Sequence, residues 1–323
     1  MPMKLGRFTG FMLLAALAAL AAIGALRLKH AETPPWRTDT TQSPSESAPL
    51  PVEPAPVDPS FPAFTFVTYN VKNWLISSQS PEKSPEAKAA VINLLAADSP
   101  DIIGLCEIGD MNDVEEIQSM LKEVGVHLPH IHYTGGEDSV RHLALLSRFP
   151  FSAVGTPDTA IPGNERSMQR GILDVTVNTG STEIRLLGLH LKSKRTVQEF
   201  DQAALRLAEA AHARKYADAI LAAAPDTHLI IYGDFNDTTR SISTRTIYGT
   251  YRTPGYMNPL HVKDSRGESW THCYAVEDSY TRIDFVTVSK ALKRHVDKKA
   301  SYVIDNPLWE MASDHRPVLI RFR

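Results

Sequence analysis

From residue 64 onward, short apolar runs alternate with polar, turn-forming residues: FTFVTY, DIIGLC, LALLS, ILDVTV, IRLLGL, HLIIY, IDFVTV and PVLIRF. Each run has the length of a strand and is too short for a helix. Between some of them, Glu86 to Ala97 and the Ala-rich segment Val197 to Ala224 read as helices, the second with Ala204, Leu207, Ala208 and Ala211 at helical spacing. Many strands with few helices predict a layered sheet sandwich with helices outside, not a regular βαβ array. No internal repeat interrupts this pattern.

The pattern of residues 1–63 is different. Lys4 and Arg7 precede a nearly unbroken apolar run, Phe8 to Leu26, and Arg27, Lys29 and His30 follow it. As a helix this run would span ~28 Å, close to a bilayer core and long for a signal-peptide core. No crisp small-x-small cleavage site follows, so residues 1–30 read as an uncleaved membrane anchor or a signal peptide, and either predicts work outside the cytoplasm. Residues 31–63 then hold nine prolines among Ser, Thr and Ala. That composition favours an extended tether over a packed element, and the folded domain is expected from residue 64 to 323.

Charge and cysteine content narrow the picture. Lys and Arg number 34 against 37 for Asp and Glu, a net charge of -3, so no overall positive field favours a nucleic-acid partner, although a local basic groove can sit on an acidic protein. With two cysteines, Cys106 and Cys273, no disulfide framework holds the fold. Cys106 reads as a buried small hydrophobe, and a single bridge between the two stays open as an alternative for an exported domain.

Polar side chains recur where the apolar runs stop. Asn70 follows FTFVTY, Glu107 follows DIIGLC, His190 follows IRLLGL, and Asp234 and Asn236 follow HLIIYG. Asp284 stands just inside IDFVTV, while Asp314 and His315 precede PVLIRF. If the last two strands run opposite to the others, all these groups share one edge of the sandwich. Singly, each has a plain alternative: Asp-Phe-Asn after Gly233 also fits an ordinary turn closed by side-chain to backbone hydrogen bonds, Ser-Asp-His also fits a turn, and a lone histidine is more often structural. Glu107 is harder to explain so, because a carboxylate straight after an apolar strand must be solvated, paired or bound to a metal.

Taken in order, TYNVKNW (68–74), LCEI (105–108), LLSRFP (145–150), LGLHLKSK (187–194), YGDFND (232–237), RIDFVTVS (282–289) and SDHRPV (313–318) resemble the endonuclease/exonuclease/phosphatase superfamily. That group contains deoxyribonuclease I, AP endonucleases, bacterial sphingomyelinases and inositol-polyphosphate 5-phosphatases. The segments keep the family order and span essentially all of residues 64–323. The resemblance implies an α/β fold, a four-layer α/β sandwich of two mixed β-sheets packed face to face with outer helices, and a divalent cation, usually magnesium, with manganese or calcium as alternatives.

Carried over by position, Glu107 is the principal metal ligand, Asn70 assists it and Asp314 lies near enough to contribute. Oxygen donors suit a hard cation, whereas zinc would want more His and Cys. Asp234 would orient or deprotonate water, Asn236 would donate to a phosphate oxygen, and His315, held by Asp284, would bind phosphate or move a proton. His190 falls where deoxyribonuclease I and the sphingomyelinases have a second histidine and AP endonucleases a tyrosine. Arg170 and Lys192 are candidate phosphate contacts or plain surface cations. Lys72 replaces an aspartate of the AP endonucleases, which puts a second tightly bound metal ion in question. Trp270, Thr271 and His272 fall at a loop that either faces substrate or packs. The expected partner is a phosphodiester, nucleic acid first and a phospholipid head group second, hydrolysed by a monomer. Inositol-phosphate hydrolysis and a non-catalytic binding module on a membrane tether are the competing readings.

Overall fold

The computed structural model describes residues 60–75 and 82–323. The anchor or signal segment and the tether up to residue 59 lie outside the described residues. The tether was expected to end at residue 63, but Phe61 is already part of the core, 8% exposed and stacked on His295 with ring centroids 3.7 Å apart.

Among the described residues, two six-stranded sheets form the centre. The first comprises β1 (Phe64–Trp74), β2 (Ile102–Ile108), β3 (His130–Thr134), β4 (His142–Ser147), β13 (Val296–Val303) and β14 (Val318–Phe322), in the order β13-β14-β1-β2-β4-β3. The second comprises β5 (Phe151–Val154), β6 (Leu173–Asn178), β7 (Glu183–His190), β8 (Leu229–Asp234), β9 (Asn258–Pro259) and β12 (Asp284–Val288), in the order β5-β6-β7-β8-β12-β9. A small hairpin, β10 (His272–Tyr274) and β11 (Ser279–Thr281), stands apart. Each sheet mixes orientations: β1 and β2 are parallel, as are β7 and β8, while β14 and β12 run antiparallel to their neighbours.

The near-continuous apolar strands follow from burial on both faces. On β1, Phe66 points into a cluster shared with Leu186, Ile230 and Val286 of the other sheet, while Val67 and Tyr69 point outward to α1 (Pro85–Ala96) and α2 (Met111–Glu123). The second sheet turns Leu187, Ile231 and Phe285 outward against α3 (Gln202–Ala223) and α4 (Ile242–Tyr248). Helix, sheet, sheet and helix therefore make the four layers. Tyr232 fills the gap between the sheets, and only glycine fits opposite it: a Cβ on Gly104 would lie 2.1 Å from its ring.

The expected strands are all present, and those not anticipated are mostly sheet edges, such as β3 and β5, whose side chains are half-buried or exposed. The helical spacing of Ala204, Leu207, Ala208 and Ala211 does not mark the buried face of the long helix. The long helix starts at Gln202, not Val197, because the Asp201 carboxylate accepts from the amides of Ala203 and Ala204. Its buried stripe runs through Leu205, Arg206, Glu209, Ala210 and Ala213, while Leu207 is 37% exposed. An Ala-rich helix has no steep apolar gradient, so charged residues that serve neighbouring loops decide which side turns inward. The cysteines are unbridged: Cys106 is buried between the sheets and Cys273 sits on β10.

Candidate active site

The strand directions bring the polar strand ends to one edge. Parallel β1 and β2 end there with Asn70 and Glu107, parallel β7 and β8 with His190 and Asp234, and the antiparallel strands β12 and β14 begin there. Register places His190 opposite Asp234 and Asp284 opposite Asp234 on three adjacent strands. The backbone is bent to present these groups. Lys72, Asn73, Glu107 and Asn236 have φ of 51°, 55°, 67° and 53°, four of the seven left-handed non-glycine residues among the described residues. Such conformations cost ~1–3 kcal/mol each and persist where surrounding structure holds them. Gly233 (φ 124°) is required just before Asp234, since a Cβ there would lie 2.0 Å from Leu189 O.

A buried network joins the two sheets. Asn70 Nδ2 donates to Glu107 Oε1 and to Asp234 Oδ2, both at 3.1 Å, while its Oδ1 accepts from the Lys72 amide at 3.0 Å. Only this amide orientation satisfies two carboxylates and one N–H together, so Asn70 reaches the centre as a donor bridging the carboxylates. Asn236 also turns inward. Its backbone N–H donates to Asp234 Oδ1 at 2.8 Å and its Nδ2 to Leu191 O and Asp234 Oδ2 at 2.9 and 3.2 Å. The plain turn reading of Asp-Phe-Asn is thus realised, and the amide expected on a phosphate oxygen is engaged in holding Asp234. His315 Nδ1 meets Asp284 Oδ2 at 2.8 Å, leaving Nε2 3.8 Å from Asp234 Oδ2 and 4.0 Å from Asp314 Oδ1. His190 Nε2 lies 3.6 Å from Asp234 Oδ2 and 4.0 Å from Glu107 Oε1.

Electrostatics separates the two histidines. Burial alone would lower the His315 pKa, but Asp284, Asp234 and Asp314 outweigh it and push it up to about 10. His315 is an imidazolium at neutral pH. Burial, then the charges of Arg170, His315, Arg141 and Lys192, hold His190 far below the usual histidine value, so it is neutral. Burial and the neighbouring Asp284 raise Asp234 to about 7. Asp314 stays below the usual aspartate range because His315, Lys72 and His272 overcome its desolvation.

Arg170 and Lys192 form one flank. Arg170 is nearly buried, its Nη2 3.3 Å from Asp138 Oδ2, while its Nε and Nη1 find no partner among the described residues. The Gln169 and Lys192 amides both donate to Glu209, at 2.8 and 2.6 Å, so one buried carboxylate of α3 fixes the two loops that carry these cations. Arg141 was not anticipated: its Nε donates to Asn73 Oδ1 at 2.8 Å and stands 4.0 Å from Glu107 Oε2. The strand-end rule covers it, since it immediately precedes β4, which runs antiparallel to β2. Glu209 had a weaker signal, a carboxylate on a helix face otherwise rich in Ala and Leu. Of the loop 270–272, Thr271 packs, its Oγ1 accepting from the Ile283 and Asp284 amides, and Trp270 stacks under Arg316. Only His272 faces the centre, 4.7 Å from the His315 ring.

The sequence profile described as the Endonuclease/Exonuclease/phosphatase family matches residues 57–310. The chain belongs to the endonuclease/exonuclease/phosphatase family. This is a family of phosphoester hydrolases. Among curated proteins no relative matches the chain. Solved structures with a similar fold include truncated TDP2 from Caenorhabditis elegans (18% identity, 80% of this chain and 97% of that one, TM-score 0.57). Sphingomyelinase C from Streptomyces griseocarneus is similar at 15% identity over 81% and 100% of the two chains, with TM-score 0.54. The catalytic domain of human Nocturnin is similar at 16% identity over 81% and 94%, with TM-score 0.57. These likenesses speak for the shared four-layer fold of the endonuclease/exonuclease/phosphatase family.

A divalent cation suits this centre. Burial, and then the charge of Asp284, raise Asp234 to about 7, and a hard cation among oxygen donors offsets both the lost hydration and the repulsion. Asp234, Asp284 and His315 offer donor atoms within 4.8 Å of one another. The His315 to Asp284 hydrogen bond already commits two of them, and the neighbouring carboxylate, Glu107, accepts from Asn70 Nδ2 and from the Asn73 amide at 3.1 and 3.0 Å.

Proposed function

We propose that this protein is a divalent-metal-dependent phosphodiesterase working outside the cytoplasm. The observation that carries the reading is the buried centre in which an imidazolium fixed by Asp284 and a carboxylate ionising near neutrality face each other, His315 Nε2 to Asp234 Oδ2 3.8 Å. A base poised near pH 7 and a cationic donor are the two partners that phosphoryl transfer to water requires. Asp234 takes the proton of the attacking water. Asn236 and Asn70 both donate to Oδ2 of that carboxylate and hold it in place. His315 gives its hydrogen bond and charge to a phosphoryl oxygen as negative charge builds there, and Asp284 keeps the ring oriented. His190, neutral and buried beside Asp234, offers a further hydrogen bond without adding charge. Arg170 and Lys192 supply the positive flank for the rest of the substrate. Glu107 would hold the cation, which as a Lewis acid stabilises the leaving oxygen.

Nucleic acid is the first substrate class, in keeping with the fold shared with TDP2. A specific observation supports a phospholipid head group as the second. The hairpin beside His315 exposes Tyr274 (47%), Val276 (83%) and Tyr280 (50%), an apolar edge suited to a lipid surface. The apolar run 8–26 and the proline-rich tether support a position on the outer side of a membrane. Plasmid DNA, RNA and sphingomyelin vesicles, each with magnesium and an Asp234→Ala control, separate the readings. Failure on DNA and RNA together defeats the nuclease version, and failure on all three with phosphate released from inositol phosphates would transfer the assignment to a phosphomonoesterase.

A further inference from the structure

Lys72 sits at a conspicuous place in this centre. The pairing of β1 with β2 shifts register between Asn70 and Trp74, and within that bulge Lys72 takes a left-handed conformation, φ 51°. Its amide donates to Asn70 Oδ1, the residue that bridges Glu107 and Asp234. Its ammonium lies 3.3 Å from Asp314 Oδ2, with the Lys72 side chain 53% exposed. The other oxygen of Asp314 lies 3.4 Å from the Ser313 hydroxyl, which donates to Asn70 O at 2.8 Å, and faces His315 Nε2 at 4.0 Å. Asp314 thus has cationic neighbours on both sides, Lys72 on one oxygen and His315 near the other.

The charge of the whole centre leads to the same place. With every carboxylate ionised, Glu107, Asp234, Asp284 and Asp314 are matched by four cations: His315, Lys72, Arg141 beside Glu107, and Lys83, which donates to Ala312 O at 2.6 Å and feels the charges of Asp314 and Glu107; on the flank, Arg170 and Lys192 stand against Asp138 and Glu209. The chain alone is near neutral. A phosphodiester carries one negative charge and gains a second when hydroxide attacks it. One divalent cation balances that state, and a second would leave an excess of positive charge in a site partly shielded from water.

We propose that Lys72 is the second cation of this site: its ammonium, seated on Asp314, takes the place a second divalent ion would hold and restricts the centre to one. The inference rests on the metal-dependent reading above and deepens it. Lys72 is a positioning residue for Asp314 and a fixed charge for the substrate.

The test is metal stoichiometry. Full-length protein stripped with EDTA is titrated with Mn2+, followed by calorimetry and by electron paramagnetic resonance of the free ion. Wild type and Lys72→Arg are expected to bind one Mn2+ per chain, and Lys72→Glu, which replaces the ammonium by another oxygen donor, two. Lys72→Gln, which only removes the charge, is expected to bind its single ion about tenfold more tightly. If the Glu variant loses its circular dichroism, the Gln variant carries the test, and unchanged affinity there overturns the proposal. Two ions in the wild type, or one in a folded Glu variant, would also overturn it while leaving the metal-dependent reading intact. No Mn2+ bound by the wild type would end both.

Discussion

Replacing Asp284 by asparagine removes a negative charge 2.8 Å from His315 Nδ1 and on the strand position opposite Asp234, while keeping the size of the side chain. Two unit charges ~4 Å apart interact by about 4 kcal/mol at the effective dielectric of protein sites, equivalent to ~3 pKa units. His315, now pushed up to about 10 chiefly by Asp284 against the effect of burial, should fall to roughly 7. Asp234, raised to about 7 by burial and then by Asp284, should fall as well. The wild-type rate should therefore rise with pH as Asp234 loses its proton and decline near pH 10 as His315 loses its own. In Asp284→Asn both limbs should move to lower pH, the alkaline one by ~3 units, with the maximal rate reduced ~10²–10⁴-fold. The assay is kcat/KM for bis(p-nitrophenyl) phosphate from pH 5 to 11 at saturating magnesium. An alkaline limb that stays in place would refute the argument that an imidazolium sustained by Asp284 is the working form.

Three further outcomes probe the architecture. Asp234→Asn should lower turnover ~10²–10⁴-fold with the circular dichroism spectrum unchanged, and a variant that keeps a tenth of the wild-type rate would remove Asp234 from the role of base. Glu209→Ala should cost ~2–4 kcal/mol in urea unfolding because two buried amides, of Gln169 and Lys192, lose their acceptor. Leu207→Ala on the exposed face of the same helix should cost under ~0.5 kcal/mol, and the reverse ranking would contradict this assignment of the buried face. Gly233→Ala should destabilise by more than ~3 kcal/mol, since its Cβ would meet Leu189 O at 2.0 Å at φ 124°; a melting temperature within a degree of wild type would contradict that geometry.

Much of this molecule is legible from its residues because two signals are local. Strands covered on both faces are apolar at nearly every position, so FTFVTY and HLIIY stand out without any partner in view. Polar groups that stop such runs, like Glu107 and Asp234, are conspicuous because they cannot be buried bare. The edge strands β3 and β5 were missed because a half-covered strand has no such pattern. The long helix was found but its face was not, since alanine gives little contrast and the inward residues Arg206 and Glu209 answer to loops far away in sequence.

The chain by itself determined the strands covered on both faces, the family and the set of polar residues at the strand ends, because each of these is written in neighbouring residues. Only the tertiary structure decided what those residues do to one another. Asn70 and Asn236 turn their amides onto Asp234 rather than outward, one histidine is held charged and the other neutral, and Lys72 rests on Asp314. Those outcomes depend on distances across two sheets and on burial, and charges 3 to 4 Å apart in a shielded site alter one another's protonation in ways no stretch of sequence records.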